Sequence, residues 1–132
     1  MNTPNVLFVC LHGSAKSLIA SEYLRRLAAE RGVTVETAGA GTEPDSEIPP
    51  HVVQGLLADG IDVRGRRPRG VTRADLAGAS RVVTFACNLG DLVPRGLAVE
   101  RWDDVPTVSE DFAKARNAIV ARLPRLLEEC AP

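Results

Sequence analysis

Near the N-terminus a cysteine is followed, after five residues, by a lysine and a serine: Cys10-Leu11-His12-Gly13-Ser14-Ala15-Lys16-Ser17. These residue types at this spacing suit one kind of chemistry. An ionised thiol is a nucleophile. Gly13 has no side chain to oppose a left-handed backbone, so the stretch can curl and aim several amides at one centre. Lys16 and Ser17 stand where a helix would begin, and a helix start offers unpaired N–H groups and positive potential. The pattern describes a thiolate beneath an oxyanion cradle made by Leu11, His12, Gly13, Ser14 and Ala15. The plainer reading of Cys10 is a small buried residue at a strand end. The company of Gly13, Ser14, Lys16 and Ser17 favours the nucleophile.

Such a loop must be held between a strand and a helix. Residues 6–9 are β-branched or apolar without a break, which suits a buried parallel strand. From Leu18 the period changes. Ile19, Tyr23 and Leu27 share one face of a helix predicted over residues 17–30, with Glu22, Arg25, Arg26 and Glu30 mostly opposite. Arg31-Gly32 ends it. Residues 33–38 alternate and predict the second strand, and residues 39–44 a loop from its carboxyl end. Pro49-Pro50 opens a helix over residues 51–59, closed by Gly60. Arg64, Arg66, Arg67 and Arg69 follow, read either as a solvated loop or as steering for acidic substrates. Thr72 is placed to cap a short helix over residues 73–78.

Residues 81–86 predict the third strand, with Cys87 leaving its end. Residues 97–102 predict a fourth. A last helix begins near Ser109, with an apolar stripe of Phe112, Ala115, Ile119, Leu123 and Leu126. Pro124 kinks it or ends its regular portion. Strands alternating with helices predict an α/β fold, a four-stranded parallel sheet with helices on both faces. Strand order 2-1-3-4 sets Cys10 at the topological switch point.

Composition narrows the function classes. The 132 residues suit one domain over 1–132. A net charge of −1 and 4% aromatic residues argue against a nucleic-acid surface. No run approaches the roughly 20 apolar residues of a membrane helix, and no signal-peptide pattern opens the chain. Three cysteines, Cys10, Cys87 and Cys130, are a sparse, odd set that suits a reducing cytoplasm. They show no zinc spacing, and the two histidines, His12 and His51, do not complete one. No metal and no cofactor is expected, and the expected partner is phosphate or another oxyanion.

Cys-x5-Lys-Ser resembles the Cys-x5-Arg-Ser/Thr signature of cysteine phosphatases. Its place after the first strand resembles the low-molecular-weight protein tyrosine phosphatase family, which includes the thioredoxin-coupled arsenate reductases. Thr37-Ala38-Gly39, Ala58-Asp59-Gly60-Ile61-Asp62 with Arg67-Pro68, and Val82-Val83-Thr84-Phe85 are similar to the family in the same order. The resemblance covers nearly the whole chain. It implies that Cys10 attacks phosphorus or arsenic, that amides of residues 11–17 hold the equatorial oxygens, and that Ser17 donates to the thiolate.

Several positions depart from the family. Lys16 stands for the family arginine and offers a point charge in place of a planar fork. One lost contact of that kind costs roughly 2–4 kcal/mol of barrier. His12 replaces the usual glycine and Gly13 an asparagine. Ala15 removes the adjacent second cysteine of some relatives. The family acid lies in an Asp-Pro loop before the last helix. Asp103, nine residues before Phe112, and Asp104 are the candidates here. The alternative is that Thr107 occupies that position and the acid is missing. Trp102 either walls the pocket or packs as core. Cys87 stands near the first resolving cysteine of arsenate reductases, while Leu92 and Pro94 leave no second one. The leading expectation is phosphomonoester hydrolysis through a Cys10 phosphocysteine. The alternatives are arsenate reduction with a small thiol or thioredoxin-type reductant, and a weakened oxyanion-binding domain.

Overall fold

In the computed structural model, which describes residues 3–130, the first apolar run forms β1 (Asn5–Cys10). Val6 and Phe8 pack into one core cluster and Leu7 and Val9 into another. Burial on both sides is why the run lacks polar alternation. The chain continues through α1 (Lys16–Glu30), β2 (Glu36–Gly41), α2 (Pro50–Ala58), α3 (Arg73–Ala77) and β3 (Arg81–Thr84). A 3-10 turn (Gly90–Leu92), β4 (Val99–Arg101), α4 (Phe112–Val120) and α5 (Leu123–Cys130) complete it. The strands are parallel in the expected order β2-β1-β3-β4.

One face of the sheet carries α1, α2, α4 and α5 through Ile19, Leu24, Leu56, Ile119, Leu123 and Leu126. A fully buried Leu or Ile contributes about 1.5–3 kcal/mol, so this layer firmly anchors the helix behind the Cys10 loop. The opposite face is thinner, with Leu76 of α3 and Leu89 over Leu7, Val9 and Val82. Thr72 caps α3 as expected. Its Oγ1 accepts from the Asp75 amide at 3.1 Å, and the Asp75 carboxylate accepts from the Thr72 amide at 2.9 Å.

The second strand keeps only the last three of residues 33–38 and runs on to Gly41. The chain leaves α1 through Gly32 (φ 66), and the Val33 amide donates to Ala28 O at 2.9 Å. Val33 and Val35 pack against the helical core. The ladder starts at Glu36, whose amide donates to Pro4 O at 2.8 Å. It then runs through Gly39 and Gly41, residues whose composition suggests a loop. Glycine is required there by crowding. A Cβ on Gly39 would lie 2.9 Å from Ser17 O, and one on Gly41 would lie 2.6 Å from the Gly13 amide.

The third and fourth strands are shorter than 81–86 and 97–102. β3 ends before Ala86, which takes a left-handed φ of 53. The last helix starts at Phe112, not Ser109, because Asp111 is its N-cap and accepts from the Lys114 amide at 3.0 Å. Its stripe is carried by two helices. Pro124 has no N–H to donate to the turn before it, and the break at residues 121–122 separates α4 from α5.

Candidate active site

Six-residue pairing with β2 holds Cys10 opposite Gly41 at the carboxyl edge of the sheet, 7% exposed. The chain then curls back over the thiol. Gly13 has φ +63, and its amide donates to Cys10 Sγ at 3.2 Å. A Cβ on Gly13 would stand 2.6 Å from the Gly41 amide, so the position needs glycine for conformation and for space. Ser17 Oγ lies 3.0 Å from Cys10 Sγ and is fully buried. The N-cap of α1 is Ala15, which offers no side-chain acceptor to the first turn. The leading amides of α1 therefore stay available to an anion.

The loop after β2 braces this cradle. The amides of Thr42, Glu43 and Asp45 donate to the carbonyls of Cys10, Leu11 and His12 at 3.2, 2.7 and 3.1 Å. Ser14 Oγ donates to Asp45 Oδ2 at 2.9 Å. His12 Nδ1 lies 3.1 Å from Glu43 O and 3.3 Å from Asp45 Oδ1. Above the thiol opens a cavity of about 410 Å³. Cys10, Leu11, His12, Ser14, Ala15 and Lys16 line it, with Asp45 and His51 on one wall and Phe85, Ala86, Thr107, Val108 and Ser109 on the other. Lys16 Nζ donates to Val105 O at 3.0 Å. An ammonium has three N–H groups, so two remain for an oxyanion.

Asp103 and Asp104 are not brought into this cavity. Asp103 turns away to accept from the Ala86 amide at 2.9 Å and from Arg101 Nε at 2.9 Å. Arg101, and after it the Ala86 amide, hold its carboxyl below the usual carboxylate range. Asp104 takes both oxygens to Arg122 at 2.8 Å, and that guanidinium likewise holds its carboxyl low. Charged partners on β4 and beyond α4 thus redirect both side chains. The same loop brings Thr107, the other position considered, to the cavity wall. Trp102 is core, in edge-on contact with Phe85 at 5.7 Å between centroids.

Cys87 comes to the back of the site. Its Sγ donates to Val9 O at 3.4 Å, one residue before Cys10. It lines a separate hollow with Thr84 and Arg101. Burial pushes its thiol up, and the nearby Cys10 and Asp103 charges add to that. Cys130, on α5, lies elsewhere in the core. Sequence reasoning does not mark Asp45 and His51 as wall residues. The available signal is the polar loop predicted to leave the same sheet edge as Cys10. Among the described residues, no group of three or more His, Cys, Asp and Glu is placed to hold a metal ion. None of the described helices is long and apolar enough to cross a membrane.

Comparison with known proteins agrees with this fold. A family model described as low molecular weight phosphotyrosine protein phosphatase matches residues 5–118. A curated relative from Halobacterium salinarum, provisionally named an arsenate reductase, is 26% identical over 130 residues, covering 95% of this chain and 92% of that one. The thioredoxin-dependent arsenate reductase Cg_ArsC1' of Corynebacterium glutamicum superposes with a TM-score of 0.77 at 29% identity, over 97% of this chain. This chain spans only 62% of that protein. A low molecular weight phosphotyrosine phosphatase of Vibrio cholerae O395 shares the fold, with a TM-score of 0.79 at 21% identity over 96% of this chain and 95% of that one.

Proposed function

The chain belongs to the low molecular weight phosphotyrosine protein phosphatase family, and from that premise we propose that it is a cysteine-dependent oxyanion enzyme whose reaction is arsenate reduction. One observation carries the finer reading: a second thiol, Cys87, is bonded to the carbonyl of the residue before the nucleophile. The Cys10 thiolate attacks arsenic, a sulfur–arsenic bond forms, and an arsenic–oxygen bond breaks to release hydroxide. Lys16, Ser14 and the α1 amides balance the oxyanion charge. Cys87 then gives its proton to the hydroxide released in the first step, and the resulting thiolate attacks Cys10 Sγ. A disulfide forms, the sulfur–arsenic bond breaks, and its electron pair leaves with arsenic as arsenite. A thioredoxin-type dithiol or small thiol reduces the disulfide. The relay requires Cys87 to turn from the Val9 carbonyl toward Cys10, and the left-handed Ala86 just before it is where the chain would turn.

The opposite wall supports the same reading. Protonating an alkoxide leaving group calls for an acid across from the nucleophile. Thr107, Val108 and Ser109 stand there, and the cavity carboxylate, Asp45, is bonded to Ser14. Hydroxide is as basic a leaving group as an alkoxide, but arsenic–oxygen bonds exchange far more readily than phosphorus–oxygen bonds, so arsenate leans less on such an acid. The test is arsenite production from arsenate with a thioredoxin-type dithiol. Cys10→Ser is expected to abolish it, and Cys87→Ser to stop turnover while leaving Cys10 free to form its adduct. Wild-type turnover by Cys87→Ser would contradict the relay.

The cradle itself favours a second reading, phosphomonoester hydrolysis through a Cys10 phosphocysteine. An activated aryl phosphate, whose leaving group needs no acid, is its probe. A burst that vanishes in Cys10→Ser, without arsenite production by the wild type, would replace the first reading with this one. Oxyanion binding with neither reaction would leave a binding domain.

A further inference from the structure

Behind the catalytic loop, on the far side of Gly13 from Cys10, lies a second cavity of about 130 Å³ at the β2 edge of the sheet. Four arginines line it: Arg25 of α1, and Arg66, Arg67 and Arg69 of the segment running beside β2. No carboxylate lines it. Two carboxylates neutralise part of this charge from outside. Glu22 pairs with Arg25 at 2.5 Å and Arg66 at 3.1 Å, and Asp75 pairs with Arg69 at 2.8 Å. Arg67 pairs with no carboxylate among the described residues. Four guanidinium groups against two carboxylates leave a positive excess at a concave surface.

The backbone adds donors to the same place. β2 is an edge strand, so alternate amides face away from β1. The Glu36 amide donates inward to Pro4 O and the Gly41 amide outward to Arg69 O. That alternation turns the amides of Thr37 and Gly39 outward, into the cavity that both residues line. Neither amide has a protein acceptor among the described residues. The neighbouring segment joins the edge only at Gly41 and Gly70, and it splays from Thr37 and Gly39 to leave the gap. A sheet edge that leaves two N–H groups facing unneutralised guanidinium is built for an acceptor of multivalent negative charge.

We propose that this cavity is a second oxyanion site, taking a free tetrahedral dianion of the phosphate class between the outward Thr37 and Gly39 amides and Arg66 and Arg67. The volume suits one such ion. Its occupant would tie the arginine segment to β2. Gly13, which shares this cavity wall and whose amide donates to Cys10 Sγ, connects the site to the catalytic loop.

Selenate diffraction tests the assignment on the wild-type chain. Anomalous density is expected at two places, above Cys10 and in the arginine cavity. Density at the catalytic loop alone, at a selenate concentration that saturates it, would overturn the proposal. Density only on outlying arginines would mark an adventitious ion only and would overturn it equally. In solution, calorimetry with inorganic phosphate is expected to give two sites for the wild type and one for Arg66→Ala/Arg67→Ala. Arg67→Lys is expected to weaken the second site about tenfold, the scale of one charge-assisted hydrogen bond. Two unaltered sites in a folded double variant would refute the assignment, as would phosphoserine filling the cavity as tightly as phosphate. Should the double variant fail to fold, the selenate result decides.

Discussion

Lys16 touches two things at once, the oxyanion cavity and the Val105 carbonyl 3.0 Å away. Lys16→Ala therefore removes a cation and a tether between the cradle and the loop facing it. It is expected to lower kcat/KM by about 10²–10³, the scale of deleting one oxyanion donor. Asp103 makes the opposite prediction. Asparagine keeps an oxygen for the Ala86 amide, so Asp103→Asn is expected to leave both the rate and the pH profile of aryl phosphate hydrolysis unchanged. Loss of the basic limb of that profile would make Asp103 the general acid after all. The cradle residues were legible in the sequence because their roles are local. Cys10, Gly13 and Ser17 interact within seven residues of one another, and their types alone describe the bonds they make. The direction in which the two candidate aspartates point was not legible. Spacing to Phe112 gives a distance along the chain, but Arg101 and Arg122 decide where Asp103 and Asp104 point.

At the scale of elements, the strand-to-loop junctions carry the function. β1 passes directly into the cradle, and β3 passes through Ala86 to Cys87. A non-glycine residue at φ 53 costs of the order of 1–3 kcal/mol, so Ala86→Gly is expected to raise stability by about 1 kcal/mol after the extra chain entropy of glycine. Chemical denaturation measures this, and a loss of stability would show that the turn is unstrained. Element type followed from periodicity in β1, α1, β3 and the α4/α5 stripe. β2 followed only in its first half, because the residues of its second half are chosen for clearance. Gly39 and Gly41 admit Ser17 and Gly13 at distances that any side chain would forbid. Local propensity reads such glycines as a loop, while pairing with β1 makes them a strand.

Across the whole molecule, parallel order β2-β1-β3-β4 gathers loops distant in sequence around one thiol, and helix packing fixes that order. Tyr23 of α1 ties the layer together by donating to Asp59, just beyond α2. Burial, reinforced by that bond, raises the Tyr23 hydroxyl to about 12. The same bond is the largest cause lowering the Asp59 carboxyl. A raised tyrosine favours the fold while protonated. Its contribution is complete below the ordinary value of about 10 and is lost as pH rises through about 12. The lowered carboxyl contributes above about 4 and fails as pH falls further. Tyr23→Phe is expected to cost about 1 kcal/mol at neutral pH, with the gap from wild type closing at both extremes. A gap independent of pH would contradict the linkage. The central claim, two thiols acting in sequence on one oxyanion, has a direct test in a single turnover with arsenate and no added reductant. Peptide mapping by mass spectrometry is expected to find a Cys10–Cys87 disulfide formed in step with one equivalent of arsenite. Recovery of both cysteines as free thiols after exposure to arsenate would contradict it.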